Sequence, residues 1–357
     1  MSAQDQMKLP NMLPLLSWYE ENKRDLPWRH TRDPYRIWVS EIMLQQTRVE
    51  AVIPYYHRFL ERLPDVKSLA ECPEDELMKL WEGLGYYSRV RNMQKAAKAI
   101  MSANGASFPQ KYEEIRALCG IGDYTAGAIA SFAFDLPYPA VDGNVLRVAA
   151  RLLCFEEDIL APASKKALTA AVWEAQPRDR AAQYNQAMIE LGATVCLPNG
   201  APKCHTCPLF SDCAARAAGR EQTLPVRKKP APRRVEERTV LILREGDTVA
   251  LRQRPASGLL ASLFEPFSFD GRLTADEVGE KLAALGIPPL RVAPLGEAKH
   301  IFTHLEWHMV GFEVILDEKS AKTVSKTLDK GLFFAPRFEI DESFAVPSAY
   351  SAYRPFM

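Results

Sequence analysis

Three groups of residues in this chain could do chemistry. The first is an acid in an apolar run, Glu41 within Trp38-Val39-Ser40-Glu41-Ile42-Met43-Leu44. A carboxyl group among such neighbours is partly desolvated, which raises its pKa and keeps it protonated longer than an ordinary glutamate. An acid paired with a nearby arginine would look the same in sequence. The second is Gly120-Ile121-Gly122 between two apolar-periodic stretches, followed about one helix later by Val141-Asp142-Gly143-Asn144-Val145. Two glycines permit a tight turn and the close approach of another backbone. The free N–H groups of a helix starting near Asp123 could then receive a phosphate. This is a helix-hairpin-helix arrangement over about residues 116–130, although a plain helix–turn–helix connection reads alike. The third is Cys196-x7-Cys204-x2-Cys207-x5-Cys213. Four thiolates suit zinc or an iron–sulfur cluster. A zinc ribbon usually has two close pairs, and only one is present here. The cluster is therefore favoured and zinc stays open.

The elements that must position these groups fall into two kinds. Apolar residues recur at helical spacing in 37–49, 93–100, 126–134, 145–153, 165–173 and 183–195, and strand-like alternation is nearly absent before residue 218. Asp33-Pro34, Cys72-Pro73-Glu74-Asp75 and Pro162 mark helix starts. Residues 224–238 mix Pro225, Pro230 and Pro232 with Arg227, Lys228, Lys229, Arg233, Arg234 and Arg238. Such a stretch has little to bury and reads as an extended linker, either a solvated spacer or a phosphate contact. Beyond it, residues 239–244 and 248–254 flank Glu245-Gly246-Asp247 as a hairpin. Residues 275–285 read as a helix ending at Gly286, and 308–316 alternate like a strand. A smaller α+β domain follows from these signals.

Bulk properties narrow the function classes. The 357 residues carry zero formal net charge, so any nucleic-acid contact must come from local patches. No apolar stretch approaches a membrane span and no signal segment opens the chain, so an intracellular, cytoplasmic, soluble protein without membrane contact is expected. The crowding of four of the seven cysteines points to a metal site in a reducing compartment. Cys72, Cys119 and Cys154 read as small buried hydrophobes.

The glycine turn together with Asp142 resembles the endonuclease III superfamily of DNA glycosylases. Members that also cleave the backbone carry a lysine two residues after the second hairpin glycine. Here that position is Tyr124, which cannot form a Schiff base. Asp142-Gly143-Asn144 and the run around Glu41 are similar to the adenine DNA glycosylase (MutY) branch. The resemblance implies a multidomain protein. An all-α helix-hairpin-helix glycosylase domain with an iron–sulfur loop at 196–213 would span 1–222, a basic linker 223–237, and a Nudix-like lesion-recognition domain 238–357. It implies a monofunctional enzyme, a monomer, acting on duplex DNA that carries adenine opposite 8-oxoguanine or guanine.

The same resemblance assigns roles. Glu41 protonates the departing base and Asp142 stabilises the oxocarbenium-like sugar, the logic of a glycosidase pair. Asn144 orients the water or Asp142, and Tyr124 supports the pocket. Trp28, Arg29, Val49 and Gln186 line a pocket for the flipped adenine. Gln46 and Tyr86 enter the gap it leaves, with Tyr86 as the wedge. Gly120 and Gly122 hold the DNA backbone. Cys196, Cys204, Cys207 and Cys213 hold a [4Fe–4S] cluster, with the first gap one residue longer than the family's. In Lys299-His300-Ile301-Phe302-Thr303-His304-Leu305, His304 reads the damaged base and Phe302 anchors the loop, while Thr303 replaces the usual serine. Glu277 and Glu280 alone do not make a Nudix metal helix, so no pyrophosphatase activity is expected. Two other readings stay open: a glycosylase with lyase activity, and an inactive iron–sulfur DNA-binding module.

Overall fold

The computed structural model describes residues 7–105, 107–228 and 232–357, so Lys229 and Pro230 of the basic stretch lie outside the described residues. The chain divides into two compact units, Met1–Glu71 with Arg91–Lys229 and Cys72–Val90 with Pro230–Met357. Among the described residues before the basic stretch there are helices and no strand. They are α1 (Leu13–Asn22), α2 (Pro34–Met43), α3 (Val49–Arg62), α4 (Val66–Glu71), α5 (Glu74–Leu80), α6 (Ser88–Asn104), α7 (Tyr112–Arg116), α8 (Asp123–Phe134), α9 (Gly143–Leu152), α10 (Pro162–Glu174), α11 (Ala181–Thr194) and α12 (Ala214–Ala217). No helix among the described residues is long and apolar enough to cross a membrane.

Local rules set the helix starts. The Asp33 carboxylate accepts the Tyr35 N–H at 2.9 Å, and Pro34 takes the first helical position, where a missing N–H costs nothing. The run 37–49 does not stay helical to its end. α2 stops at Met43, because Gln45-Gln46-Thr47-Arg48 offers no apolar face to bury. The backbone there tightens into three-residue bonds, Gln45 N–H to the Ile42 oxygen and Thr47 N–H to the Leu44 oxygen. Gln46 sits in this turn with φ 59°. α1, α9, α10 and α11 share one core through Leu15, Leu16, Val148, Leu168, Tyr184 and Leu191.

The second unit is a mixed sheet with helices. Its strands are β1 (Arg234–Glu245), β2 (Thr248–Gln253), β3 (Phe264–Glu265), β4 (Phe267–Asp270), β5 (Arg291–Ile301), β6 (Leu305–Ile315) and β7 (Leu332–Pro336), with helices α13 (Ala275–Ala284), α14 (Glu318–Thr327) and α15 (Arg337–Ser343). The order is β3-β2-β1-β6-β5, with β4 also on β1 and β7 also on β2. β1 and β6 run parallel, from Arg234 beside Leu305 to Arg244 beside Ile315. The hairpin turn is two residues, since Glu245 pairs with Thr248, and Gly246 supplies the positive φ of 56°. The charged stretch thus enters the sheet at Arg234. Its charges are matched there: Glu236 pairs with Arg234 and Arg238 and accepts Trp307 Nε1–H at 3.0 Å.

Alternation along β1 divides two cores. Val240 and Ile242 face Trp307, Met309 and Tyr350, while Leu241 and Leu243 face Phe312, Val278 and Val324. Three details differ from the composition reading or refine it. Cys72 is buried, but Cys119 is exposed and Cys154 half-buried. Cys119 sits in the glycine turn, where the chain has little to cover it. Glu277 is spent as a helix cap, its carboxylate accepting the Thr274 N–H at 2.7 Å.

Glu265 is the most enclosed ion of this unit. Its oxygens meet Arg252 at 2.8 Å, Arg254 at 2.6 Å and the Tyr350 hydroxyl at 2.7 Å, with almost no exposed surface. Removing one member of such a set strands the others. Glu265→Ala should lower unfolding stability by about 3–5 kcal/mol, read as a drop in the urea midpoint of the intact protein. An unchanged midpoint would show that the cluster does not hold the sheet.

Candidate active site

The hairpin and the two acids meet in the first unit. α7 ends at Arg116, whose side chain holds the turn by donating to the Ile121 oxygen at 3.0 Å and to Asp123 at 2.5 Å. Gly120 has φ 80°, and a Cβ there would come within 2.7 Å of the Asn92 Cβ. Gly122 caps α8 without a side-chain partner, and a Cβ there would meet nothing within 4 Å. The head of α8 therefore carries N–H groups with no side-chain cap.

One turn into the fold, α8 places Tyr124 against α2. The Tyr124 hydroxyl donates to Glu41 Oε2 at 2.7 Å, with Glu41 buried and Tyr124 half-buried. Burial pushes Glu41 up to about 7, against the opposing pull of the tyrosine hydrogen bond, and the nearby Asp142 charge adds to the rise. Burial likewise raises Tyr124 well above 10, so it stays a donor.

Asp142 sits in a different setting. It is the N-cap of α9. Its Oδ1 accepts the N–H groups of Asn144 and Val145, both at 2.8 Å, and its Oδ2 accepts Asn144 Nδ2 at 2.7 Å. Burial raises its pKa, while these three bonds and Arg147 favour the ion. The segment before it reaches α8 because residue 127 is glycine: a Cβ there would lie 2.1 Å from the Pro139 oxygen. Asn185 of α11 then pins that segment, accepting the Ala140 N–H at 3.1 Å and donating to the Tyr138 oxygen at 2.8 Å.

A cleft of about 520 Å³ opens beside Glu41 and Tyr124, and Trp28, Arg29, Val49 and Gln186 all line it. Arg24 lines it too, an unexpected member. Glu190, fully buried, holds both arginines: Arg24 Nε at 2.8 Å and Arg29 Nη2 at 2.7 Å. Burial opposes its ionisation, yet the Arg24 and Arg29 bonds win and hold its carboxyl down at about 2. Glu190 lies one turn beyond Gln186 on the same face of α11, so helical spacing could have found it. Arg24 and Asn185 carry no such local signal.

The four cysteines line a second, small cavity with Val148, Leu191 and Val195 among its walls. Burial raises the thiols of Cys204, Cys207 and Cys213, that of Cys207 to about 11. No three His, Cys, Asp or Glu side chains among the described residues are arranged to hold a metal ion. The extra residue of the first gap is absorbed by a loop that closes where the Lys203 N–H meets the Val195 oxygen at 2.9 Å. Arg151 donates to Cys196 Sγ at 3.2 Å. Arg147 joins the Cys196 oxygen (2.8 Å) to Asn144 Oδ1 (2.7 Å), a continuous path from the cysteine loop to Asp142.

Comparison with known proteins fits this geometry. A family model for the HhH-GPD superfamily of base excision DNA repair proteins matches residues 39–177, and a NUDIX domain model matches 238–352. The adenine DNA glycosylase of Mus musculus is 35% identical over 369 residues, covering 87% of this chain and 71% of the relative. That of Buchnera aphidicola subsp. Baizongia pistaciae is 34% identical and covers 86% of each. The Homo sapiens protein is 35% identical over 82% of this chain and 64% of the relative. The chain belongs to the adenine DNA glycosylase family. Members are hydrolases of N-glycosyl bonds that act in base-excision repair, and the family implies an iron–sulfur cluster. The glycosylase also resembles a thermostable thymine-DNA glycosylase at 27% identity and TM-score 0.53, over 57% of this chain and 94% of that one. An endonuclease III trapped on DNA shares the fold at 22% identity and TM-score 0.50, over 58% of this chain and 95% of that one.

Of the remaining predicted residues of the glycosylase, all but Phe302 are surface groups. Gln46 is exposed in the turn after α2. In the second unit Tyr86 is exposed, and Thr303 and His304 are exposed at the β5–β6 turn. Phe302 packs inward, its ring 4.9 Å from Trp307, and its N–H closes the turn on the Leu305 oxygen at 2.8 Å.

Carboxyl-labelled NMR should follow Glu41 titrating near 7. Tyr124→Phe removes the bond that favours the ion, so the midpoint should move to higher pH. A midpoint that stays or falls would show that the hydroxyl does not tune Glu41.

Proposed function

We propose that this glycosylase hydrolyses the N-glycosidic bond of adenine mispaired with 8-oxoguanine or guanine in duplex DNA, without a lyase step. One observation carries the reading: Glu41 is buried at an apolar cleft with a single phenolic donor, whereas Asp142 caps the head of α9 and accepts three N–H groups. Glu41 gives its proton to N7 of the base. The C1′–N9 bond then breaks with its electron pair going to adenine, which leaves neutral. Asp142 stabilises the oxocarbenium-like sugar until water adds at C1′ and loses a proton. Asn144 orients Asp142, and Tyr124 holds Glu41. Trp28, Arg29, Val49 and Gln186 receive the extruded base, with Arg24 beside them. The amide oxygen of Gln186 can accept the N6 amino group of adenine, leaving N7 to Glu41.

Gly120 and Gly122 let the hairpin approach the DNA backbone. Tyr86 and Gln46 fill the gap left by the base, and the Phe302-Thr303-His304 turn reads its partner. The reading divides the chain into a catalytic part at 1–222, a linker at 223–237 and a lesion-reading part at 238–357. Cys196, Cys204, Cys207 and Cys213 would hold a [4Fe–4S] cluster. When bound it would brace loop 196–213, since hydrolysis consumes no electron.

Duplexes with adenine opposite 8-oxoguanine or guanine should lose the base, with strand breakage only after alkali and no adduct trapped by borohydride. A trapped adduct would establish a lyase. Glu41→Gln should bind the same duplex and release base at least about a hundred-fold more slowly in single turnover, the usual scale of a lost general acid. A rate near that of the parent enzyme would remove Glu41 from the role.

A further inference from the structure

The loop between α5 and α6 is held more firmly than a simple connection requires. Gly83, Gly85 and Tyr86 take φ of 95°, 70° and 48°. A tyrosine keeps a left-handed backbone only where its surroundings impose it. Arg89 is the imposing group. Its Nη2 donates to the carbonyl oxygens of Leu84 and Gly85 at 3.0 and 3.1 Å, and its backbone N–H returns to the Tyr86 oxygen at 2.9 Å. Trp81 Nε1 donates to the same Gly85 oxygen at 3.0 Å. The guanidinium lies 5.3 Å from the centre of the buried Trp81 ring and 5.5 Å from that of Tyr86. Burial lowers its pKa only to about 10, so it remains a cation at neutral pH and attracts both ring faces. At the far end of the tyrosine, its hydroxyl meets that of Thr303 at 3.3 Å. The ring is thus gripped near its face and at its tip while 48% of the residue stays exposed.

We propose that Arg89 is the positioning residue that makes Tyr86 a rigid wedge, and that Thr303 joins the wedge to the base-reading turn so that insertion and reading occur together. The inference rests on the wedge role of Tyr86 given above. A mobile tyrosine would lose backbone and rotamer freedom on entering the stack, and ordering it beforehand removes that loss from the insertion step. Arg89 then acts on extrusion of the base and not on bond cleavage. A lysine would keep the charge but lose the planar guanidinium that lies over the Trp81 and Tyr86 rings.

The test uses the full chain carrying Glu41→Gln, so that no base is released, and a duplex with 2-aminopurine opposite 8-oxoguanine. Its fluorescence rises when the base leaves the stack. Arg89→Met should cut that rise by about five-fold, the scale of a lost cation–π grip, and Arg89→Lys should cut it less. Tyr86→Ala should cut it as well, and adding Arg89→Met to Tyr86→Ala should cost nothing more. A full rise with Arg89→Met, or a second loss in the Tyr86→Ala background, would overturn the inference. A full rise with Tyr86→Ala would instead remove the wedge role itself. If Arg89→Met does not fold by circular dichroism, Arg89→Lys carries the test, and an unchanged rise overturns the inference. Thr303→Val should lower the rise with Tyr86 present and change nothing with Tyr86→Phe. A loss that survives Tyr86→Phe overturns the coupling through the hydroxyl.

Discussion

The capping bond at the head of α9 is the interaction on which the catalytic unit depends. A buried carboxylate must collect donors to remain an ion, and Asp142 collects two backbone N–H groups and the Asn144 amide. Each donor has its own anchor. Asn144 is held by Arg147, itself buried and obliged to find acceptors, which it does at Cys196 and Gly192. The chain before Asp142 is drawn against α8 at Gly127 and tied by Asn185. Displacing any of these would move the carboxylate relative to the cleft.

Glu41 shows the opposite solution to the same problem. It sits within a helix, where backbone donors are already engaged, and its side chain accepts from a phenol, that of Tyr124. One donor does not offset its burial, so the proton leaves only at higher pH than from an ordinary glutamate. Two carboxyl groups of nearly the same intrinsic acidity thus meet different surroundings, one inside a helix and one at a helix head.

What could be read in the sequence was what local spacing encodes. The apolar run exposed Glu41, the two glycines exposed the hairpin, and the close cysteines exposed the sulfur-lined cavity. The alternation of residues 308–316 and the turn at Gly246 revealed the second domain. Long-range partners were hidden. Arg24 reaches Glu190 across more than 160 positions, and Asn185 reaches Ala140 across 45. Gly127 looked like any helical glycine until its distance to Pro139 was known. The end of α2 at Met43 was missed because periodicity was carried through four polar residues.

The grouping of residues 72–90 with the carboxy-terminal unit has a consequence for dissecting the molecule. Lys79 Nζ bonds the Phe344 oxygen at 3.3 Å, while Glu82 receives the Val346 N–H at 3.1 Å and Arg354 at 2.7 Å. A protease cut in the basic stretch would therefore not release a finished catalytic fragment. The shortened piece would keep α5 and the tyrosine-bearing loop but lose the groups that complete Glu82 and Lys79. The two halves of this gene product are interleaved, so neither can be removed as a module without leaving an unmatched seam in the other.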